Sequence, residues 1–142
     1  MIKDRIRRIL VPLDGSKNSL RGFDKAIYLA RQFGATITGI YVLPRTPEKE
    51  FRRIGSIEKD LLKLASSFMG AAKKRAAQNA IVFKEKVTFG DPGYMITKFA
   101  EHNKHNLIVI GARGMGSVKR IFLGSVSNYV LHKSKVPVLI VK

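Results

Sequence analysis

Cysteine is absent from the sequence, and histidine occurs only at His102, His105 and His132. Without cysteine there can be no disulfide framework, no thiolate metal site and no thiol nucleophile. His102 and His105 stand three residues apart at the end of an expected helix, a spacing open to a metal pair. No third ligand follows at a fitting distance, and histidines at a helix end equally suit its dipole. Carboxylates are also scarce, 10 Asp and Glu against 27 Lys and Arg. A two-metal or kinase-like carboxylate set is hard to assemble from so few. No apolar run reaches the roughly 18 residues needed to span a membrane. The opening "MIKDRIRRIL" is charged and lacks the apolar core of a signal peptide. Together these absences point to a soluble, cytoplasmic protein with no membrane partner.

At 142 residues the chain has the size of one domain spanning 1–142, and 45% hydrophobic residues suffice for a sizeable core. The formal charge of +17 has two readings. One is a solvated basic surface. The other is attraction to a polyanion: nucleic acid, an anionic membrane face or a phosphorylated small ligand. The distribution is uneven, because no Asp or Glu follows Glu101 while Lys104, Arg113, Lys119, Arg120, Lys133, Lys135 and Lys142 all do.

Short apolar runs, "RILVPLD", "TITGIYVL", "IVFKEKVTF" and "NLIVIGA", are each followed by a turn and a helical pattern, and "VPVLIVK" closes the chain. Runs of this kind suggest strands buried on both faces, as in a parallel sheet. From Asn18 to Phe33, Leu20, Phe23, Ile27, Ala30 and Phe33 recur at helical spacing, and Gly34 is placed to end that helix. From Ser56 to Ala80 a second helix is expected, with Ile57, Leu61, Leu64, Phe68, Ala71 and Ala72 on its inner side. A third of about ten residues follows "GDPGYM", with Asp91–Pro92 as its turn and Tyr94, Ile96, Phe99 and Ala100 inward. The last runs from Ser125 to Lys133. Strict alternation of strand and helix implies right-handed crossovers and a doubly wound, Rossmann-like α/β domain with four helices. Ligands of such sheets bind beyond the carboxyl ends of the strands, where the winding reverses. That brings "PLDGS" and "GARGMG" into the site, with "PRTPEKEFRRIGS" expected as a mobile connection on the same edge.

The segment "GARGMGSVKRIFLGSVS", Gly111–Ser127, is the most unusual stretch. Glycines allow close backbone approach and positive φ, so that successive amides can converge on an anion. A helix starting at "GSVS" aims its free amides and positive dipole end at the same place. Phosphate suits this chemistry best. Neither Gly111 nor Gly114 opens the Gly-x4-Gly-Lys-Ser/Thr pattern of a P-loop. The dinucleotide fingerprint fails as well, since its third glycine would fall at Lys119. Nor is Ser117 in the Gly-x-Ser-x-Gly context of a nucleophile elbow.

The spacing present is Gly111, two residues, Gly114, nine residues, Gly124, Ser125. With "ILVPLDGS", "IYV", "GDPGYMI", "LIVIGARGMG" and "LGSVSNYVLHKSKVPVLIVK", it resembles the ATP-binding branch of the universal stress protein family over essentially the whole chain. The resemblance implies a five-stranded sheet of order 3-2-1-4-5 with ATP between the first and fourth strands. It implies that Pro12, Leu13 and Asp14 border the nucleoside and that Val42 flanks the base. Gly111, Arg113, Gly114, Gly116 and Ser117 would wrap ribose and phosphates, and Gly124, Ser125, Val126 and Ser127 would bind the phosphates. It further implies a homodimer through the last strand, an unidentified protein partner, and ATP, ADP or AMP as ligand with Mg²⁺ or Mn²⁺.

Other roles stay open for several of these residues. Asp14 or Ser16 could cap the first helix, Arg113 could simply be solvated, and Lys119 and Arg120 could reach phosphates or point outward. The expected function is that of a nucleotide-binding regulatory protein. A slow ATP hydrolase or phosphotransferase using the same cleft, and a nucleic-acid-associated basic protein, are the alternatives.

Overall fold

A computed structural model describes residues 5–44, 51–115 and 123–142, with backbone alone at 51–54 and 56. Among the described residues nine elements alternate: β1 (Arg8–Pro12), α1 (Lys17–Phe33), β2 (Thr36–Leu43), α2 (Phe51–Gln78), β3 (Phe83–Phe89), α3 (Pro92–His102), β4 (Leu107–Gly111), α4 (Ser125–Lys133) and β5 (Val138–Val141). All strand pairs are parallel, in the order β3-β2-β1-β4-β5. The winding reverses between β1 and β4, and the carboxyl ends of those two strands open into the cleft described below.

Alternation along the strands divides the core between two layers. Ile9, Val11, Ile37 and Val109 meet Phe23, Ala26 and Ala30 of α1 and Met69, Ala72 and Ala76 of α2. Leu10, Ile40, Ile108 and Ile110 face Ile96 and Ala100 of α3 and Val130 of α4. Local chemistry sets the helix ends. Ser16, not Asp14, caps α1, its hydroxyl accepting from the Ser19 amide at 3.1 Å. Gly34 closes α1 at φ 67°, a left-handed conformation that costs glycine least. Asp91 caps α3 and Pro92 takes its first turn.

Some inward assignments are corrected. Leu20, Phe33, Ile57, Leu64 and Tyr94 are exposed among the large hydrophobics, and Ala71 is exposed too. On α2, Ala72 is buried and Phe68 packs on the core as expected, and Ala65, Met69 and Ala76 complete the buried stripe. The alanines let the helix lie close on the sheet, while Leu62 and Leu64 are exposed. The helix also begins at Phe51, so the connection after β2 is shorter than expected, with 45–50 outside the described residues. β3 is not buried on both faces: it is an edge strand, and Lys84, Glu85 and Lys86 are exposed. Lysines on an edge discourage further strand pairing.

Candidate functional site

A cleft of about 310 Å³ opens at the carboxyl ends of β1 and β4. Pro12, Leu13 and Asp14 line it from the end of β1, and Val42 from β2. Gly111, Arg113 and Gly114 line it from the loop after β4, and Gly124, Ser125, Val126 and Ser127 from the start of α4. Gly116, Ser117, Lys119 and Arg120 lie outside the described residues. Ile40, Tyr41, Pro44 and Ile96 also line the cleft. They make one end apolar, a wall that the glycine spacing does not reveal; the apolar β2 run signals only Ile40 and Tyr41, and Ile96 comes from α3.

The other end is polar and belongs to the chain's own backbone. α4 starts at Gly124 with no side chain capping it, and Gly124 to Ser127 line the cleft, which places the positive dipole end of the helix there. Gly124 itself has φ −70° and ψ 168°, extended backbone that any residue adopts. Its amide donates to the Ala112 carbonyl at 2.7 Å. Ser127 is buried and its hydroxyl donates to the same carbonyl at 2.6 Å, with the Gly124 carbonyl at 3.1 Å. Ser125, by contrast, is exposed on the cleft wall. These two serines, alike in sequence, therefore have opposite surroundings.

Gly111 and Gly114 are not among the described glycines with positive φ. Their smallness serves contact. A Cβ on Gly111 would lie 2.8 Å from the Asn18 carbonyl oxygen and from its Oδ1, and one on Gly114 would lie 2.5 Å from Asp14 Oδ2. The loop thus leans on the β1–α1 turn, and side chains from that turn hold it. Asp14 Oδ1 accepts from the Ser16 amide at 2.9 Å, and its Oδ2 accepts from the Met115 amide at 2.9 Å. Asn18 Oδ1 accepts from the Arg113 amide at 2.6 Å. Sequence reasoning missed Asn18, because its partners lie far along the chain and no local pattern marks it.

Asp14 is the only carboxylate among the described lining residues, and backbone amides engage both of its oxygens. Its charge and, more strongly, burial raise the pKa of the neighbouring Tyr41 phenol. Among the described residues no three His, Cys, Asp or Glu converge on a metal position. The helix-end histidines do not pair. His102 is exposed, whereas His105 is buried against Phe99, ring centroids 5.6 Å apart. No described helix is long and apolar enough to cross a membrane.

The model of the universal stress protein family matches residues 5–142. A universal stress protein of Methanocaldococcus jannaschii is 35% identical over 139 residues, covering 96% of this chain and 82% of the relative. Among solved structures, the universal stress protein UspA from Lactobacillus plantarum is 26% identical, with a TM-score of 0.90 over 97% of this chain and 99% of that one. A universal stress protein solved in complex with cAMP is 26% identical, with a TM-score of 0.76 over 96% and 97%. The glycine loop, the reversal-point cleft and these matches agree: the chain belongs to the universal stress protein family.

Proposed function

We propose that the chain binds an adenine nucleotide, ATP foremost, in this cleft and acts as a nucleotide-dependent switch in a cytoplasmic stress response. One observation carries the reading. A single cleft joins an apolar wall of Leu13, Ile40 and Val42, suited to a base, to the uncapped start of α4, suited to phosphate. The likeness to a family member solved with cAMP supports the adenine nucleotide. Divalent metal finds no ligand set among the described residues. A Mg²⁺ or Mn²⁺ ion would therefore arrive on the nucleotide's phosphates and be held mainly by them. The switch would be read at β5, whose Val141 carbonyl accepts from the Ala112 amide at the root of the loop. We take β5 also as the strand through which two copies pair, because it is an edge strand rich in apolar residues.

Calorimetry with ATP tests the reading. Ser125→Ala removes one hydrogen bond to a charged group and should cost about 1.5–3 kcal/mol, roughly ten- to a hundred-fold in affinity. Gly124→Val sets a branched side chain on the cleft wall and should abolish binding by bulk alone, its backbone being compatible with valine. Lys133→Ala, at the far end of α4, removes a charge away from the cleft and should change little. If Lys133→Ala weakens ATP as much as the other two, general basicity draws the anion and the shaped site is wrong. Mass spectrometry of nucleotide released from the denatured protein identifies the ligand carried from the cell.

A further inference from the structure

Asn18 is half-buried in the first turn of α1 and is not part of the cleft lining. Both ends of its side-chain amide are nevertheless engaged, and with segments distant in sequence. Oδ1 accepts from the Arg113 amide at 2.6 Å. Nδ2 donates to the Val141 carbonyl at 3.3 Å. Gly111 packs on the same residue, with space for no Cβ. The Val141 carbonyl also accepts from the Ala112 amide at 2.8 Å, and the Ala112 carbonyl accepts from the Gly124 amide at 2.7 Å. One side chain thus joins the start of α1, the root of the glycine loop and the end of the last strand.

The chemistry of the contact is selective. Arg113 presents a donor and Val141 an acceptor, so the side chain between them must accept at one end and donate at the other. Aspartate of the same shape could meet only Arg113, and alanine could meet neither. From this we infer that Asn18 is a positioning residue of the nucleotide site: it fixes the glycine loop against the terminal strand before any ligand arrives. The inference rests on the nucleotide reading of the cleft. A loop released from Asn18 samples other positions, and binding must then meet the cost of ordering it.

Two measurements on the full chain test this: ATP affinity by calorimetry, and hydrogen exchange of the Arg113 amide by NMR without ligand. Asn18→Ala leaves a good helix former in the first turn. It should speed Arg113 exchange and weaken ATP, each roughly tenfold. Asn18→Asp keeps the acceptor and should restore Arg113 protection to near the wild-type value. Asn106→Ala is the control for a merely structural role. Asn106 Oδ1 accepts from the Arg7 and Arg8 amides at 2.8 and 2.9 Å, away from the cleft. Its loss should leave both readouts within about twofold of wild type, as expected of a distant site. Wild-type ATP affinity and Arg113 exchange in Asn18→Ala, or equal losses in Asn106→Ala, would overturn the inference. If the wild type binds no ATP, the nucleotide reading falls on its own, and Arg113 exchange alone judges whether Asn18 holds the loop.

Discussion

Acid should unfold this protein partly through one buried imidazole. His105 is 5% exposed, and neither ring nitrogen has a hydrogen-bond partner among the described residues. Burial, and then the positive charge of Arg8, lower its pKa from 6.5 to about 4, against a smaller opposing pull from the nearby Ala100 backbone. Because the folded value lies below the unfolded one, the unfolded chain binds this proton first. Stability is then fully present above pH 6.5, falls as pH drops from there towards about 4, and levels off below. Linkage over that interval gives a loss of about 2 kcal/mol between pH 7.5 and 5 and about 3 kcal/mol by pH 4. Urea unfolding of nucleotide-free protein at pH 7.5 and pH 5 measures the loss, provided the slope with denaturant stays constant. His105→Leu removes the titrating group and two unsatisfied polar atoms. It should be near neutral at pH 7.5 and should lose about 2 kcal/mol less than wild type on going to pH 5. Equal losses in the two proteins would refute the reasoning, whatever the carboxylates contribute to both.

Three further outcomes are expected. On α2, Met69→Ala should cost about 2–5 kcal/mol because Met69 is fully buried. Leu64→Ala, at a 49% exposed position, should stay within about 0.5 kcal/mol; chemical denaturation compares them, and a reversed order would place the wrong face on the sheet. Steady-state ATP turnover should remain below roughly 1 s⁻¹, since both Asp14 oxygens are engaged by amides. Faster turnover abolished by Asp14→Ala would make this an enzyme. Light scattering at tens of micromolar, an order-of-magnitude choice for ordinary dimers, should give a two-chain mass, and a strict monomer would exclude pairing through β5.

The strand–helix alternation was legible because buried parallel strands read as apolar runs bounded by turns. The bounds of α4 were legible because Gly124 precedes it and the apolar run of the last strand follows closely. The burial side of α2 was legible only in part: Ala72 is buried and Phe68 packs on the core as expected. The buried face of Ala65, Met69, Ala72 and Ala76 lies beside the expected one, and Leu64 and Ala71 fall on its far side. Packing selects that face because Ala65, Ala72 and Ala76 allow a close approach to the sheet. The exposure of β3 was hidden for a related reason: an edge position is a property of strand order, which no local pattern carries. Asn18 was hidden more completely, its partners lying 95 and 123 residues away.

The glycine spacing itself has a different physical origin from the one its composition suggests. Gly111 and Gly114 are small because Asn18 and Asp14 press on them, not because the backbone turns left-handed there. The signature therefore encodes first a contact within the protein, the loop against the β1–α1 turn, and only through that contact a site. Replacing either glycine would disturb the packing and the cleft together, so a lost affinity could not be assigned to ligand contact. Ser127 has the same ambiguity, being buried and bonded to the Ala112 carbonyl. Ser125 does not: it is exposed, lines the cleft and follows an uncapped helix start. A loss of ATP affinity in Ser125→Ala without any change in unfolding free energy would isolate the contact with the ligand. A matching fall in stability would show that this serine too belongs to the scaffold.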